Sequence, residues 1–333
     1  MRIRYSTSKR IVLSSREMIF GGGEKFIEMI AHELLGLGYV VEIRSPKLSM
    51  LRKKIHHVQH FHTLKPVIGG KIICNDFRSL WKSILIDRSV TRVFVVHGGW
   101  QISQVRLKVC KLLQVRVATI SQDLLNQVQK LEPTLVSTKL DFGPEFLGYT
   151  KSDFLEDATK SDTERVTIGT IARLDPVKNL SLFNAVIESM NAIGIETKGK
   201  LLTPAPLLNE ELAMLSTLSS DISVVHDQSP ESFLKSIDLF LSTSVAESLG
   251  LAHLEALASK KPVVSTASGG PSEFLIEYLS AGYMPYELDA ERIAKNVLSI
   301  LKTSNQNRYW ESAEKVLKSR GPKIMVRQLV SLL

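Results

Sequence analysis

A chain of 333 residues is too long for one ordinary hydrophobic core, so two domains are expected. Its 44% hydrophobic and 23% charged residues are those of a globular protein, and no apolar run approaches the ~20 residues that span a bilayer. The net charge of +8 is uneven: residues 1–150 carry 23 Lys and Arg against 11 Asp and Glu, whereas residues 151–333 carry 19 against 23. Two cysteines, Cys74 and Cys110, make neither a disulfide framework nor a zinc site. The N-terminal stretch lacks the apolar core of a signal peptide, so a cytoplasmic location is expected.

Along the chain, "RIVLSS" predicts a strand, followed by three glycines, Gly21 to Gly23, and a helix in "EKFIEMIAHELLGLG". Phe26, Ile27, Ile30, Leu34 and Leu37 recur there at helical spacing. "YVVEIRS", "GKIICND", "RVFVVHGG" and "VRVATIS" predict further strands, separated by helix-like stretches. Such alternation implies a parallel sheet covered on both faces. "QHFH" at 59–62 reads as a loop or a strand edge. The polar segment 148–164 reads as a linker, dividing the chain into domains 1–150 and 151–333.

Alternation then restarts. Strands are expected in "RVTIGTIA", "KGKLLTP", "ISVVH", "LFLSTS" and "PVVST", with helices in "LSLFNAVIESMNAIG", "NEELAMLSTLS", "PESFLKSI" and "GLAHLEALAS". The whole is an α/β protein of two doubly wound parallel sheets. The last segment, from 305, is helical and is expected to pack back on the first domain.

Ligands of open α/β sheets sit beyond the carboxyl ends of strands. Two stretches lie at such ends. "IARLDPVKN" carries Arg173 and Lys178 around Pro176, at a strand-to-helix turn. "SVAESLGLAHLE" carries Glu247 and Glu255 with seven residues between them, and opens a helix whose N-terminus can hold an anion. Two cations and a helix N-terminus would together grip something negative. His97 closes the apolar strand "FVVH".

These residues resemble the retaining glycosyltransferases of family 4, of the GT-B fold, in which two Rossmann-like domains face a cleft. The resemblance is carried by "RLDPVKN", the Glu247/Glu255 pair, "KKPVVSTASGGPSEFL" and the N-terminal "GGGEKFIEMIAHELLGLGYVVEI". It implies that Arg173 and Lys178 bind the diphosphate of a nucleotide sugar, and that Glu247 contacts hydroxyls of the donor sugar. Glu255 would bind the ribose diol. Ser248, Leu249, Gly250 and Leu251 would line the donor from the loop and the helix start. Gly22 and Gly23 would approach the diphosphate, and His97 either touches the sugars or is structural.

The implied reaction moves a sugar from a UDP-sugar, or a GDP-sugar, to a hydroxyl of a glycan or lipid-linked acceptor with retention. No metal, cofactor or nucleic acid is implied, the nucleotide sugar being a co-substrate. A sugar-nucleotide epimerase or a non-catalytic binding protein of the same fold is the alternative. "STKLDFG" keeps Asp141 but not the preceding glycine of the family pattern, and "LLTPAP" replaces a glycine-rich turn; both leave the nucleobase open. The basic, apolar stretch 47–57, with Lys47, Arg52, Lys53 and Lys54, suits the surface of an anionic membrane.

Overall fold

The computed structural model describes residues 9–15, 22–45, 59–61, 66–144, 165–204, 209–279, 282–303 and 307–333. The linker 148–164, the basic stretch 47–57 and Gly21 lie outside them. The chain forms two compact units: Met1–Phe142 with Arg320–Leu333, and Gly143–Ser319. The division therefore falls at 142/143 rather than 150/151, and the last 14 residues belong to the first unit.

In the first unit the elements are β1 (Arg10–Ser14), α1 (Gly22–Gly36), β2 (Val40–Arg44), β3 (Gln59–Phe61), β4 (Lys71–Cys74), α2 (Phe77–Ile86), β5 (Thr91–Val96), α3 (Gln104–Leu112), β6 (Arg116–Thr119), α4 (Gln122–Leu131) and β7 (Ser137–Lys139). They build one sheet of order β3-β2-β1-β4-β5-β6-β7. Every pairing is parallel. Central strands buried on both faces must be apolar where they are covered, and "VFVV" of β5 and "IIC" of β4 meet that demand. α1 buries Phe26, Ile27, Ile30 and Leu34 completely. Leu37, expected on the same stripe, falls beyond the helix end and is exposed.

Side-chain caps start α2, α3 and α4. Asp76 Oδ1 accepts from Ser79 N–H at 2.8 Å, and Ser103 and Ser121 accept in the same way from Arg106 and Leu124. A buried ion pair, Arg44 Nη1 to Asp87 Oδ2 at 2.8 Å, ties the end of β2 to the end of α2.

The second unit runs β8 (Arg165–Ile171), α5 (Leu180–Ala192), β9 (Glu196–Leu202), α6 (Asn209–Leu215), β10 (Ile222–Val225), α7 (Pro230–Lys235), β11 (Leu239–Ser242), β12 (Ala246–Glu247), α8 (Leu251–Ala258), β13 (Val263–Ser265), β14 (Ser268–Gly269), α9 (Ser272–Leu279), α10 (Ala290–Thr303) and α11 (Asn307–Lys318). Its main sheet has order β10-β9-β8-β11-β13, again parallel throughout. β12 and β14 form a separate two-stranded ladder. Phe183, Phe233, Phe240 and Phe274 are fully buried in this unit.

The C-terminal segment, expected as helix, is broken at Gly321 before Pro322, which cannot continue a helix from the preceding turn. α12 (Pro322–Ser331) packs on α1. Asp141 anchors it: Asp141 N–H donates to Gln328 Oε1 at 2.8 Å, Gln328 Nε2 donates to Asp141 Oδ2 at 2.7 Å, and Gly321 N–H donates to the Asp141 carbonyl at 3.0 Å.

Candidate functional site

Each sheet reverses its direction of growth once, between β1 and β4 in the first unit and between β8 and β11 in the second. The loops leaving those strands diverge and open a crevice. Arg173, Lys178 and Glu247 all lie on the loops after β8 and β11. Gly22, Gly23 and His97 follow β1 and β5.

In the second unit, Asp175 Oδ1 accepts from Val177 N–H at 3.0 Å and caps a 3-10 turn, Pro176–Lys178. Asn179 then takes φ 47°, a left-handed conformation that asparagine tolerates, and the chain turns into α5. The two loops are stitched together. Val245 N–H donates to the Val177 carbonyl at 2.8 Å, and Thr243 Oγ1 lies 3.1 and 3.0 Å from the carbonyls of Lys178 and Asn179.

This stitching brings Lys178 Nζ to 2.7 Å from Glu247 Oε1. The two side chains are 14% and 21% exposed, so their attraction is only partly screened. Ser244 Oγ donates to the same carboxylate oxygen at 3.0 Å. Oε2 accepts from no described residue. Arg173 is exposed, and its guanidinium bonds to no described residue. One cation is thus neutralised within the protein and the other is available.

Glu247 is held by its backbone as well. It pairs with Gly269 across the β12–β14 ladder, and Gly270 N–H donates to its carbonyl at 2.9 Å. Gly270 is required there: a Cβ would lie 2.4 Å from Leu249 Cα and from the Ser248 carbonyl oxygen. The loop Ser248–Leu249–Gly250 therefore lies directly against glycine backbone. Gly250, with φ 84°, starts α8 without a side-chain cap. His253 N–H donates to the Gly250 carbonyl at 3.0 Å, and the N–H groups of Leu251 and Ala252 are left for water or an anion. Leu251 is the first residue of α8, and Glu255 sits half-buried in its second turn.

Sequence reasoning missed His253. It is buried in α8, its Nε2 lies 2.9 Å from Ser265 Oγ, and its ring meets Phe240 and Phe274 edge-on. Ser265 Oγ also accepts from Ala267 N–H at 3.2 Å, at the approach to β14. Burial pushes the His253 pKa down to about 4, opposed by the nearby Glu247 carboxylate. A neutral imidazole thus fills the space beneath the Gly250 turn, which is why a polar residue occupies an apolar helix face.

In the first unit, Gly22 and Gly23 are the first residues of α1 rather than a free loop. Asn75, at the end of β4, joins them to His97: Asn75 Nδ2 donates to the Gly23 carbonyl at 3.4 Å, and Asn75 Oδ1 meets His97 Nε2. The His97 ring packs edge-on against Phe26 at 4.7 Å, and burial lowers its pKa to about 4. His97 is thus neutral and oriented at pH 7. Asn75 was the unrecognised member of this group.

His226 Nδ1 lies 3.0 Å from the Thr203 carbonyl. A depression of about 460 Å³, lined by Arg92, Lys111 and Arg116, lies at the amino ends of β5 and β6, away from the crevice. Its cations are held by protein partners: Arg92 by the Ser83 and Asp87 carbonyls, Lys111 by Glu132, and Arg116 by the Leu332 carbonyl.

The family model described as "Glycosyl transferases group 1" matches residues 151–316, which span the Arg173, Lys178, Glu247 and Glu255 positions. The match covers just under half of the chain. Among solved structures, the glycosyltransferase from Rickettsia africae ESF-5 aligns with TM-score 0.74 at 15% identity, covering 98% of this chain and 97% of that one. HepE of Anabaena, solved in complex with UDP-glucose, aligns with TM-score 0.72 at 16% identity over 97% and 100% of the two chains. The fold of the two units is therefore that of the GT-B glycosyltransferases. The alpha-1,3/1,6-mannosyltransferase ALG2 of Debaryomyces hansenii is 29% identical over 107 residues, 32% of this chain. That match spans only 21% of the mannosyltransferase.

Proposed function

We propose that this protein is a retaining glycosyltransferase of family 4 that moves a sugar from a nucleotide-sugar donor to a hydroxyl of a glycan or lipid-linked acceptor, in glycan assembly. The observation that carries the reading is the Lys178–Glu247 pair, 2.7 Å apart at the switch point and flanked by exposed Arg173 and an uncapped helix. A UDP-sugar is the favoured donor, supported by the complexes of HepE with UDP-glucose and of similar fold.

In this reading the second unit binds the donor and the first binds the acceptor. Arg173, Lys178 and the first-turn N–H groups of α8 hold the diphosphate. Breaking the bond between the anomeric carbon and the diphosphate oxygen leaves negative charge on the diphosphate, and preorganised cations stabilise that charge as it develops. They supply the role a metal ion serves elsewhere. The acceptor oxygen bonds to the anomeric carbon on the face the diphosphate leaves, and the acceptor proton passes to the departing phosphate oxygen. Glu247 orients donor-sugar hydroxyls through its unoccupied Oε2, and Glu255 binds the ribose diol. His97, neutral and with its Nε2–H held by Asn75 Oδ1, accepts a hydrogen bond from a sugar hydroxyl at Nδ1.

Thermal-shift screening against UDP, GDP, ADP and their sugars tests the reading. Ligand at 100 times its dissociation constant stabilises by about 2.7 kcal/mol, enough for a clear rise in Tm. A rise with UDP and UDP-sugars is expected. No rise with any nucleotide would overturn the proposal.

A further inference from the structure

The first unit presents a face with no assigned role. β4 to α2 to β5 and β5 to α3 to β6 step across the sheet in the same direction, so right-handed crossovers put α2 and α3 side by side on one face. Their contact confirms it: the Arg106 guanidinium lies over the Phe77 ring, 5.1 Å from its centroid. Along α2, Arg78, Trp81, Lys82 and Leu85 are exposed at positions i, i+3, i+4 and i+7. That spacing is one continuous stripe of the helix. Along α3, Val105, Lys108 and Leu112 form a second exposed stripe, with Trp100 on the turn before it.

The exposure is large for apolar groups. Leu85 is 68% exposed, Trp100 and Val105 73%, and Leu112 80%. α2 and α3 carry five cations, Arg78, Lys82, Arg106, Lys108 and Lys111, and no Asp or Glu. The nearest carboxylates are committed: Asp76 caps α2, Asp87 is buried against Arg44, and Glu132 pairs with Lys111. Apolar tips, two tryptophans and three cations without an ion pair among the described residues, Arg78, Lys82 and Lys108, therefore share one surface.

We propose that the α2–α3 face is a docking surface for an anionic lipid bilayer. Interleaved Lys or Arg and apolar side chains suit the boundary between headgroups and acyl chains, and tryptophan partitions to that boundary. A second copy of the chain fits poorly, because a two-fold contact would set these cations against themselves. Nucleic acid would use the cations but gains nothing from Leu85, Val105 and Leu112. Among the described residues no helix is long and apolar enough to cross a membrane, so the contact is a peripheral one.

The test is co-sedimentation of the full-length protein with vesicles of phosphatidylcholine alone or with 30% phosphatidylglycerol, at 50 mM and 500 mM NaCl. Binding is expected to the anionic vesicles only, and to fall at high salt. Arg78→Glu, Trp81→Ser and Lys82→Glu together should weaken it by roughly 25-fold or more, from the two cations alone. These positions lie outside the donor and acceptor groups, so the variant should keep the wild-type thermal shift with UDP. That control shows that it folds. A UDP shift missing from wild type as well would strike the transferase reading and leave this one standing. The inference is overturned if wild type ignores anionic vesicles at 50 mM NaCl, or if the triple variant binds them like wild type. It is also overturned if only Arg52→Glu, Lys53→Glu and Lys54→Glu abolish binding. A dimer, or duplex DNA binding tighter than vesicle binding, that the α2 substitutions abolish would assign the face to that partner instead.

Discussion

Glu247→Gln separates binding from transfer. In the free protein the Glu247 carboxylate holds Lys178 Nζ at 2.7 Å, so a diphosphate must compete with it for that cation. Two unit charges about 4 Å apart attract by about 4 kcal/mol at an effective dielectric of 20, whereas exposed ion pairs measure about 0.2–1 kcal/mol. At 14% and 21% exposure this pair lies between those limits, and its neutralisation should release roughly 1–1.4 kcal/mol of competition. Glu247→Gln is therefore expected to bind UDP about five- to tenfold more tightly than wild type while losing most of its transfer. The glutamine keeps the side chain's size and its capacity to accept from Ser244, so the fold should survive. Isothermal titration with UDP reads the affinity, and product formation at saturating donor reads the transfer. Weaker UDP binding by Glu247→Gln would refute the competition argument. Unchanged transfer would refute the placement of Glu247 against the sugar.

Gly270→Ala should impair donor binding by more than tenfold, because its methyl would lie 2.4 Å from Leu249 Cα and push the Ser248–Gly250 loop away; titration with UDP, beside circular dichroism to verify folding, checks this. His97 and His253 are both held near pKa 4, below the ordinary 6.5 of the unfolded chain. The unfolded state therefore binds protons first as pH falls, and stability contributed by their neutral forms is present above about pH 6.5 and lost progressively down to about pH 4. Each accounts for up to about 3 kcal/mol, so the Tm of His253→Gln should depend less on pH between 4 and 6.5 than that of wild type. Asp141→Ala removes the carboxylate that accepts from Gln328 Nε2, leaving the residue 141 N–H contact to Gln328 Oε1, and should raise amide exchange in α12 before it affects the rest of the first unit, as read by hydrogen-exchange mass spectrometry.

The main sheets were legible because central strands such as β4, β5 and β11 are buried on both faces and so read as short apolar runs. α1 and α5 showed themselves through helical periodicity. β3, β7, β12 and β14 carried no such signal: they are two or three residues long, and a strand that short has no period to detect. Arg173, Lys178 and Glu247 could be picked out as candidates because charged residues directly after apolar strands have few structural uses. The Lys178–Glu247 ion pair was not legible. It joins positions 69 residues apart, and only the β8–β11 adjacency brings them together. Asn75, His253 and Gly270 were overlooked for a related reason, since each acts through a neighbour that is distant in sequence or through the space it leaves empty. Leu37 was misread because a stripe of helical spacing does not mark where the helix stops.

The most direct test of the donor site is UDP titration of wild type beside Arg173→Ala. Arg173 is exposed and bonded to no described residue, so removing it leaves no buried partner stranded and should leave Tm unchanged without ligand. Wild type should bind UDP. Arg173→Ala should bind it more weakly, by the ~1.5–3 kcal/mol of a charge-assisted contact, or roughly 10–150-fold. Equal affinity in the two proteins would contradict the assignment of this crevice to a nucleotide diphosphate.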